Sequence, residues 1–433
     1  MRNATIFVQN YLRTRYGLRF KSKSALYNYQ QRKLENFRRS CLSKSPFYQP
    51  YMKKIFSDFP VMNKALMMTH FDDINTCGIK LQDAMHLALE AEDTRDFSKK
   101  INGITIGLSS GTSGNRGLFA VSDKERARWA GVVLARALDT SILGNHKLAF
   151  FLRAGSNLYD SVHKRGRLSF RFFDLTQPFD GHLSALNDMQ PTQIIAPARV
   201  LCLIAQMQKQ GKINIHPRRI TSVAEVLDPL DAKTISDVFA QPVHQIYQCT
   251  EGFLGYTCEH NNIHLNEEYL LVEKEWIDRT TGRFSPVITD FSRTTQPIVR
   301  YKLDDILVLD ERPCPCGRVS TVITQIEGRM DDLLYGQNHN NEKQIPIFPD
   351  QLRQLVIRSS PSISDYRIVQ ESVGTIRIEV QDFLSATDWG KLILNLNKAF
   401  IDQGCIPPSF IRDSLKMESL LQKQRRIRRS AFS

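Results

Sequence analysis

Ten residues, LSSGTSGNRG at 108–117, combine three glycines with four hydroxyls. Gly111, Gly114 and Gly117 let successive backbone N–H groups turn toward one anion, and Ser109, Ser110, Thr112 and Ser113 add donors. That is the chemistry of a phosphate cradle. The Gly-Lys-Ser/Thr ending of a Walker A loop is missing, which disfavours the common P-loop NTPase. Three further motifs follow: YQCTE at 247–251, PIVRYKLDD at 297–305 and GRMDD at 328–332. Each is weak alone; the four in this order and at these distances are specific.

A second constellation is sulfur and imidazole. Cys314-Pro-Cys-Gly317 has the form of a metal knuckle, in which Pro315 and Gly317 permit the turn that aims two thiolates at one ion. Cys258 and His264 would complete a Cys₃His set, with His260 as the alternative imidazole. Three thiolates and no adjoining base suit a closed structural zinc site rather than a catalytic one.

The elements that must hold these residues alternate. Ile104–Ile106 reads as a strand running into the glycine loop, and the loop as standing between that strand and a helix over Lys124–Asp139, capped near Ser122 and Asp123. Strands are expected at Leu148–Leu152, Leu168–Phe173, Gln193–Ala196, Thr221–Val226 and Val243–Tyr247. Helices are expected at Arg199–Gln210 and at Pro229–Ala240, the latter capped by Asp228. Residues 28–58 look helical, with turns near Pro46 and Pro50. This alternation predicts an α/β domain. After about residue 330 the pattern becomes helix (350–358), strand (365–370), strand (375–380), helix (386–400), a small α+β unit. The expected division is a large domain over 1–327 and a small one over 328–433.

Bulk properties narrow the class. The chain has 433 residues, 42% apolar and 24% charged, ordinary values for a globular protein with a real core. No stretch approaches the run of roughly 18 apolar residues needed to cross a membrane, and the opening segment lacks the h-region of a signal peptide. Eight cysteines in a chain this long suggest reduced thiols and a cytoplasmic setting. The net charge of +13 is concentrated at the two ends, residues 1–54 and 412–429. No zinc-finger spacing, RNP motif or basic region with heptads accompanies it, so nucleic acid is not the expected partner. Solvated basic surface is the plain reading of both ends; an acidic protein or an anionic membrane surface is the functional one.

Together the four motifs resemble the adenylate-forming superfamily, specifically the branch of phenylacetate–CoA ligases and their relatives that adenylate a deazaflavin cofactor. The resemblance extends over nearly the whole chain. It implies a large N-terminal α/β domain with a small mobile α+β domain, using ATP and Mg²⁺. SSGTSG at 109–114 is similar to the family's SSGTTG phosphate loop. Ala224 and Glu225 match the turn against adenine. The resemblance further implies that Tyr247 stacks on adenine, Thr250 touches the α-phosphate, Glu251 holds Mg²⁺ and Asp305 binds the ribose hydroxyls. Arg300-Tyr301 matches the pair preceding that Asp, while Arg329 and Asp331 match the hinge. The swinging C-terminal lysine is best matched by Lys423, although Gln422 replaces the family glycine; Lys416 is the weaker candidate. The implied activity is activation of a carboxylic acid, an aryl acid being favoured by Phe151, Phe253 and Tyr256, with Arg153 available for a second anionic group. Transfer to CoA, to the thiol of an acidic acyl carrier protein or to another acceptor would follow. A non-catalytic or regulatory nucleotide-binding relative is the alternative.

Overall fold

The computed structural model describes residues 2–109, 116–152, 167–381, 384–416 and 424–430. The chain opens with helices α1 (Arg2–Leu12) and α2 (Lys23–Ser40). In α2 the side chain of Ser22 accepts from the Ala25 N–H, and Leu26, Leu34 and Phe37 form the buried stripe, so its basic residues face outward. The helical run expected to reach 58 stops at Ser40 and continues as 3₁₀ turns at Leu42–Lys44, Gln49–Tyr51 and Phe56–Asp58. Pro46 and Pro50 lack the N–H that a continuous helix requires.

Strands β1 (Ile104–Leu108) and β2 (Leu118–Ser122) pair antiparallel, so the glycine segment joins the two arms of a hairpin. This corrects the expectation that the loop runs straight into a helix. The missed strand is too short for its alternation to stand out. At Gly107 a Cβ would lie within 2.5 Å of the Phe119 ring, so only glycine lets that ring cross the hairpin. Helix α3 (Asp123–Ala137) then starts from a capping box of Ser122 and Glu125.

The main sheet has two halves. Strands β3 (His146–Leu152), β4 (Leu168–Asp174), β5 (Gln193–Ala196), β6 (Arg219–Ser222) and β7 (Val243–Cys249) are parallel, in the order β4-β3-β5-β6-β7. Helices α4 (Ala198–Lys209) and α5 (Pro229–Phe239) bury their apolar stripes against it, joining Val200, Ile204 and Ile235 to Ile194 and Ile220. Beyond β7 lie β8 (Gly252–Thr257), β9 (Ile263–Leu265), β10 (Leu270–Asp278), β11 (Arg283–Asp290), β12 (Ile298–Lys302), β13 (Asp305–Asp310) and β14 (Val322–Arg329). These pair antiparallel, in the order β8-β9-β14-β13-β11-β10 with β12 beside β11. Strand β7 therefore has a parallel neighbour on one side and an antiparallel neighbour on the other. The expected strand over Thr221–Val226 ends at Ser222, because the chain leaves the sheet in a tight turn at Ala224.

The C-terminal region is a smaller α+β unit. It comprises β15 (Leu334–Asn338), β16 (Gln344–Ile347), α6 (Pro349–Ser359), β17 (Tyr366–Ser372), β18 (Thr375–Val380), α7 (Ala386–Asp402), β19 (Cys405–Ile406), β20 (Ser409–Ser414) and β21 (Ile427–Arg429). Its core unites Leu334, Val356, Ile368, Ile378, Leu396 and Phe400. Strand β21 runs parallel to β17, which corrects the expectation of a solvated basic C-terminus. Arg426 is buried between the two regions. Its Nη atoms donate to Asp231 at 2.5 and 2.9 Å and its Nε to Asp365 at 2.9 Å. Beside it the Tyr366 hydroxyl donates to Asp228 at 3.2 Å. An arginine that finds carboxylates on both sides of a seam is desolvated there rather than hydrated.

Candidate functional site

The change from parallel to antiparallel pairing at β7 opens a crevice at its C-terminal end, the usual place for a ligand on a mixed sheet. Four of the sequence-predicted residues gather there. Cys249 and Gly252 pair across β7 and β8, so Thr250 and Glu251 form the two-residue tip of a hairpin. The Tyr301 and Cys249 side chains lie against the Glu251 carboxylate; burial, and then that charge, push both of their ionisations upward. Tyr247 is buried and donates from its hydroxyl to Asp305 Oδ2 at 2.6 Å. The residues expected at adenine and at ribose are thus bonded to each other. Burial first, and the Asp305 charge second, raise the Tyr247 phenol well above its ordinary value, so it stays a donor.

Strand β6 ends beside β7, with Ser222 opposite Gln245. Two residues on, Ala224 has φ of +65° and the Glu225 N–H closes back onto the Val223 carbonyl at 2.8 Å. A non-glycine residue held there stores strain of about 1 kcal/mol or more, a feature that clusters at ligand sites. The Glu225 carboxylate accepts from Arg199 N at 3.4 Å and from Gln424 N at 3.3 Å. Arg329 stands opposite Asp305 in the β13–β14 register and donates to Asp304 Oδ2 at 3.1 Å. Asp331 follows it in a single 3₁₀ turn, and Asp332 accepts from Arg425 Nε at 2.7 Å.

The neck of the glycine loop is closed by two bonds: Ser109 N donates to Gly117 O at 2.7 Å, and Gly117 N to Ser109 Oγ at 2.8 Å. Ser110, Gly111, Thr112, Ser113 and Gly114 lie outside the described residues, as do Arg153 and Lys423. Lys416 is exposed beyond the end of β20, and its carbonyl accepts from Arg367. Arg300 turns away from the crevice: it bonds Glu273 and the Phe59 carbonyl, tying the N-terminal turns to the sheet. Phe151 stacks on Phe173 in the parallel half, with ring centroids 4.5 Å apart. Tyr256 packs between Arg136 and His264, and Phe253 lies in the same buried cluster as Tyr256. These three aromatics are buried in the core of the large domain.

Sequence reasoning missed the strap that backs this crevice, residues 290–296. Glu125, beyond its capping role, accepts from the N–H groups of Thr294 at 2.5 Å and Thr295 at 2.9 Å. Burial works against its charge, but the bonds from Ser122 and Thr295 prevail and hold its carboxyl below the usual range. Arg293, on the same strap, donates from Nη1 to the Thr250 carbonyl at 2.9 Å. The signal available was the position of FSRTTQ directly before the third motif.

On the other side of β8, Cys258, His264, Cys314 and Cys316 place their ligand atoms within 4.8 Å of one another. Cys258 Sγ and Cys314 Sγ are 3.7 Å apart, and Cys316 Sγ is 3.3 Å from His264 Nε2. Two thiolates sharing a tetrahedral ion at the usual Zn–S length of about 2.3 Å would stand about 3.8 Å apart. The N–H groups of His260 and Arg318 point at Cys258 and Cys316, and Asn262 donates to Cys314. Ser320 bonds His264 Nδ1 at 3.1 Å, leaving Nε2 toward the sulfurs. The donor set and its outer bonds fit a metal. His260, the alternative imidazole, is exposed and outside the cluster.

The parallel half, the antiparallel half and the small appended unit make this the fold of the adenylate-forming ligases. Over 94% of this chain and 89% of the other, it superposes on 2-hydroxyisobutyryl-CoA ligase in its postadenylation state with TM-score 0.63 at 15% identity. An acyl acid amido synthetase, GH3.15, matches with TM-score 0.57 at 13% identity, covering 89% of this chain and 86% of that one. In sequence, 125 residues are 27% identical to phenylacetate-coenzyme A ligase of Thermus thermophilus, 27% of this chain and 26% of that protein. The matched stretch thus spans about a quarter of that relative. No protein-family model matches the chain.

Proposed function

We propose that this chain is an AMP-forming ligase that joins a carboxylic acid to the α-phosphate of ATP, releases pyrophosphate and passes the acyl group to an acceptor thiol such as CoA. The observation that carries this is the convergence at the end of β7 of Tyr247, Thr250, Glu251 and Asp305, with the strained Ala224 turn alongside. A carboxylate approaching a triphosphate meets like charge, so the site must supply cation and N–H donors where charge develops. Glu251 would hold Mg²⁺, which ordinarily takes one or two protein carboxylates together with phosphate oxygens. Neither attack nor departure of pyrophosphate needs a general base.

The division at 327/328, the hinge at Arg329 and Asp331, and the catalytic role of Lys423 belong to this proposal. The hold of Glu225 on Gln424 supports them, since it brings the residue after Lys423 to the nucleotide edge. The cluster of Cys258, His264, Cys314 and Cys316 would bind one structural zinc. The deciding experiment is acid-dependent ATP–pyrophosphate exchange across aryl, fatty, hydroxy and amino acids, followed by mass analysis of products with CoA or a carrier protein. ATP binding without exchange for any acid would replace the ligase with a regulatory nucleotide-binding protein.

A further inference from the structure

Among the described residues, Arg293 is the one arginine with two buried donors left unpartnered. One N–H, at Nη1, donates to the Thr250 carbonyl. Its Nε and Nη2 are buried and have no hydrogen-bond partner among the described residues. Among the described residues no carboxylate pairs with it. Arg136, Arg219, Arg353 and Arg429 each leave a buried Nε in this way, but Arg293 leaves two donors on one edge, and such an edge calls for a water, an ion or a ligand to complete it. The surroundings define that ligand. Arg293 shares one narrow cleft with Ser109 and Gly117, the two ends of the phosphate loop, and with Thr250, Glu251 and Tyr301. The nearest negative groups do not bond it: Asp290 offers Arg293 only a through-space attraction, with its Oδ1 engaged by the N–H and hydroxyl of Ser292, and Glu251 lies against Tyr301 and Cys249. The strap carrying it is pinned by Glu125 at the N–H groups of Thr294 and Thr295, which fixes the backbone from which the guanidinium reaches Thr250.

We infer that Arg293 positions the β- and γ-phosphates of ATP and the departing pyrophosphate, its free Nε and Nη2 edge meeting phosphate oxygens as a fork. A planar fork of two parallel N–H donors matches a phosphate in a way a lysine ammonium does not. The bond to Thr250 orients the fork from the side where the α-phosphate would sit, and the loop ends close the far side. This inference rests on the ATP reading above and adds to it a residue that none of the four sequence motifs contains.

Titration calorimetry with Mg-ATP, Mg-pyrophosphate and AMP on wild type, Arg293→Met, Arg293→Gln and Arg293→Lys tests it, with thermal melts in parallel. Hydrogen bonds to charged groups being what they are, Arg293→Met should weaken ATP and pyrophosphate by roughly 10- to 100-fold while leaving AMP within about twofold. Arg293→Lys should fall between, keeping charge but losing the fork. Arg293→Gln, which retains a donor for the Thr250 carbonyl, should behave as Met does; it carries the test if Met fails to fold. Unchanged ATP and pyrophosphate affinity in the variants would overturn the inference, as would an equal loss for AMP, which would mark Arg293 as a brace for the Thr250 turn. Wild-type protein that binds no ATP would sink the nucleotide reading together with this one. Wild type that binds ATP beside unaffected variants would sink this one alone.

Discussion

Two polar sites flank strand β8, and they are finished to different degrees. The Cys₃His cluster draws its ligands from residues 258–264 and 314–316, and the sulfurs and the imidazole already have outer hydrogen bonds. The crevice at the end of β7 gathers residues from five separate segments and, among the described residues, leaves Nε and Nη2 of Arg293 without partners. A cluster closed around its own donors suits an ion that stays. An edge with buried donors left over suits a ligand that comes and goes, since the site is completed only when the ligand is present.

Breaking the closed site should cost the most stability. Cys314→Ser with Cys316→Ser should abolish the expected one zinc per chain in elemental analysis. The melting temperature should fall by roughly 10 °C, because metal binding and folding are linked. Metal-free wild type with the same melt would show that the cluster needs no ion. The seam between the two regions comes next. Arg426→Ala leaves Asp231 buried without its cation and should cost about 3–5 kcal/mol in urea unfolding; a change under about 1 kcal/mol would mean the seam is hydrated in solution.

The open edge should respond in the opposite way. Glu251→Ala should lower acid-dependent exchange by roughly 10²–10³-fold, with little change in the melt, and full activity would remove Glu251 from any magnesium role. Tyr247→Phe deletes the bond to Asp305 and should weaken ATP by about tenfold, as expected for a hydrogen bond to a charged group. The smallest effect belongs to the strained turn. Ala224→Gly relieves the positive φ and should raise stability by no more than about 1 kcal/mol. A large loss instead would show that the methyl group is packed against something essential.

Much of this was legible in the chain. The parallel strands at 148–152, 168–173, 193–196 and 243–247 stand where their apolar runs placed them, and Asp228 with Pro229 caps α5 as read, the Asp228 carboxylate accepting from Leu230 N at 2.9 Å. These signals are local: a strand buried on both faces must be apolar, and a cap must offer an acceptor beside the first turn. Strand β2 was missed because five residues are too few for their alternation to stand out, although its partner β1 is close in sequence; β21 was missed because it is three residues long and owes its existence to β17, far back in the chain.

What the sequence determined by itself was therefore the set of parts: the glycine loop, the Thr250–Glu251 motif, the cysteine knuckle and the alternation that orders the sheet. Only the tertiary structure decided which polar groups are spent and which are held ready. It bonded Tyr247 to Asp305, gave Arg426 to Asp231, retired Phe151 and Tyr256 to the core and left Arg293 facing the loop ends. The physical reason is that a side chain's residue type sets what it can bond, whereas burial and the nearest partner set what it does bond, and both can come from segments 195 residues apart, as Arg426 and Asp231 are.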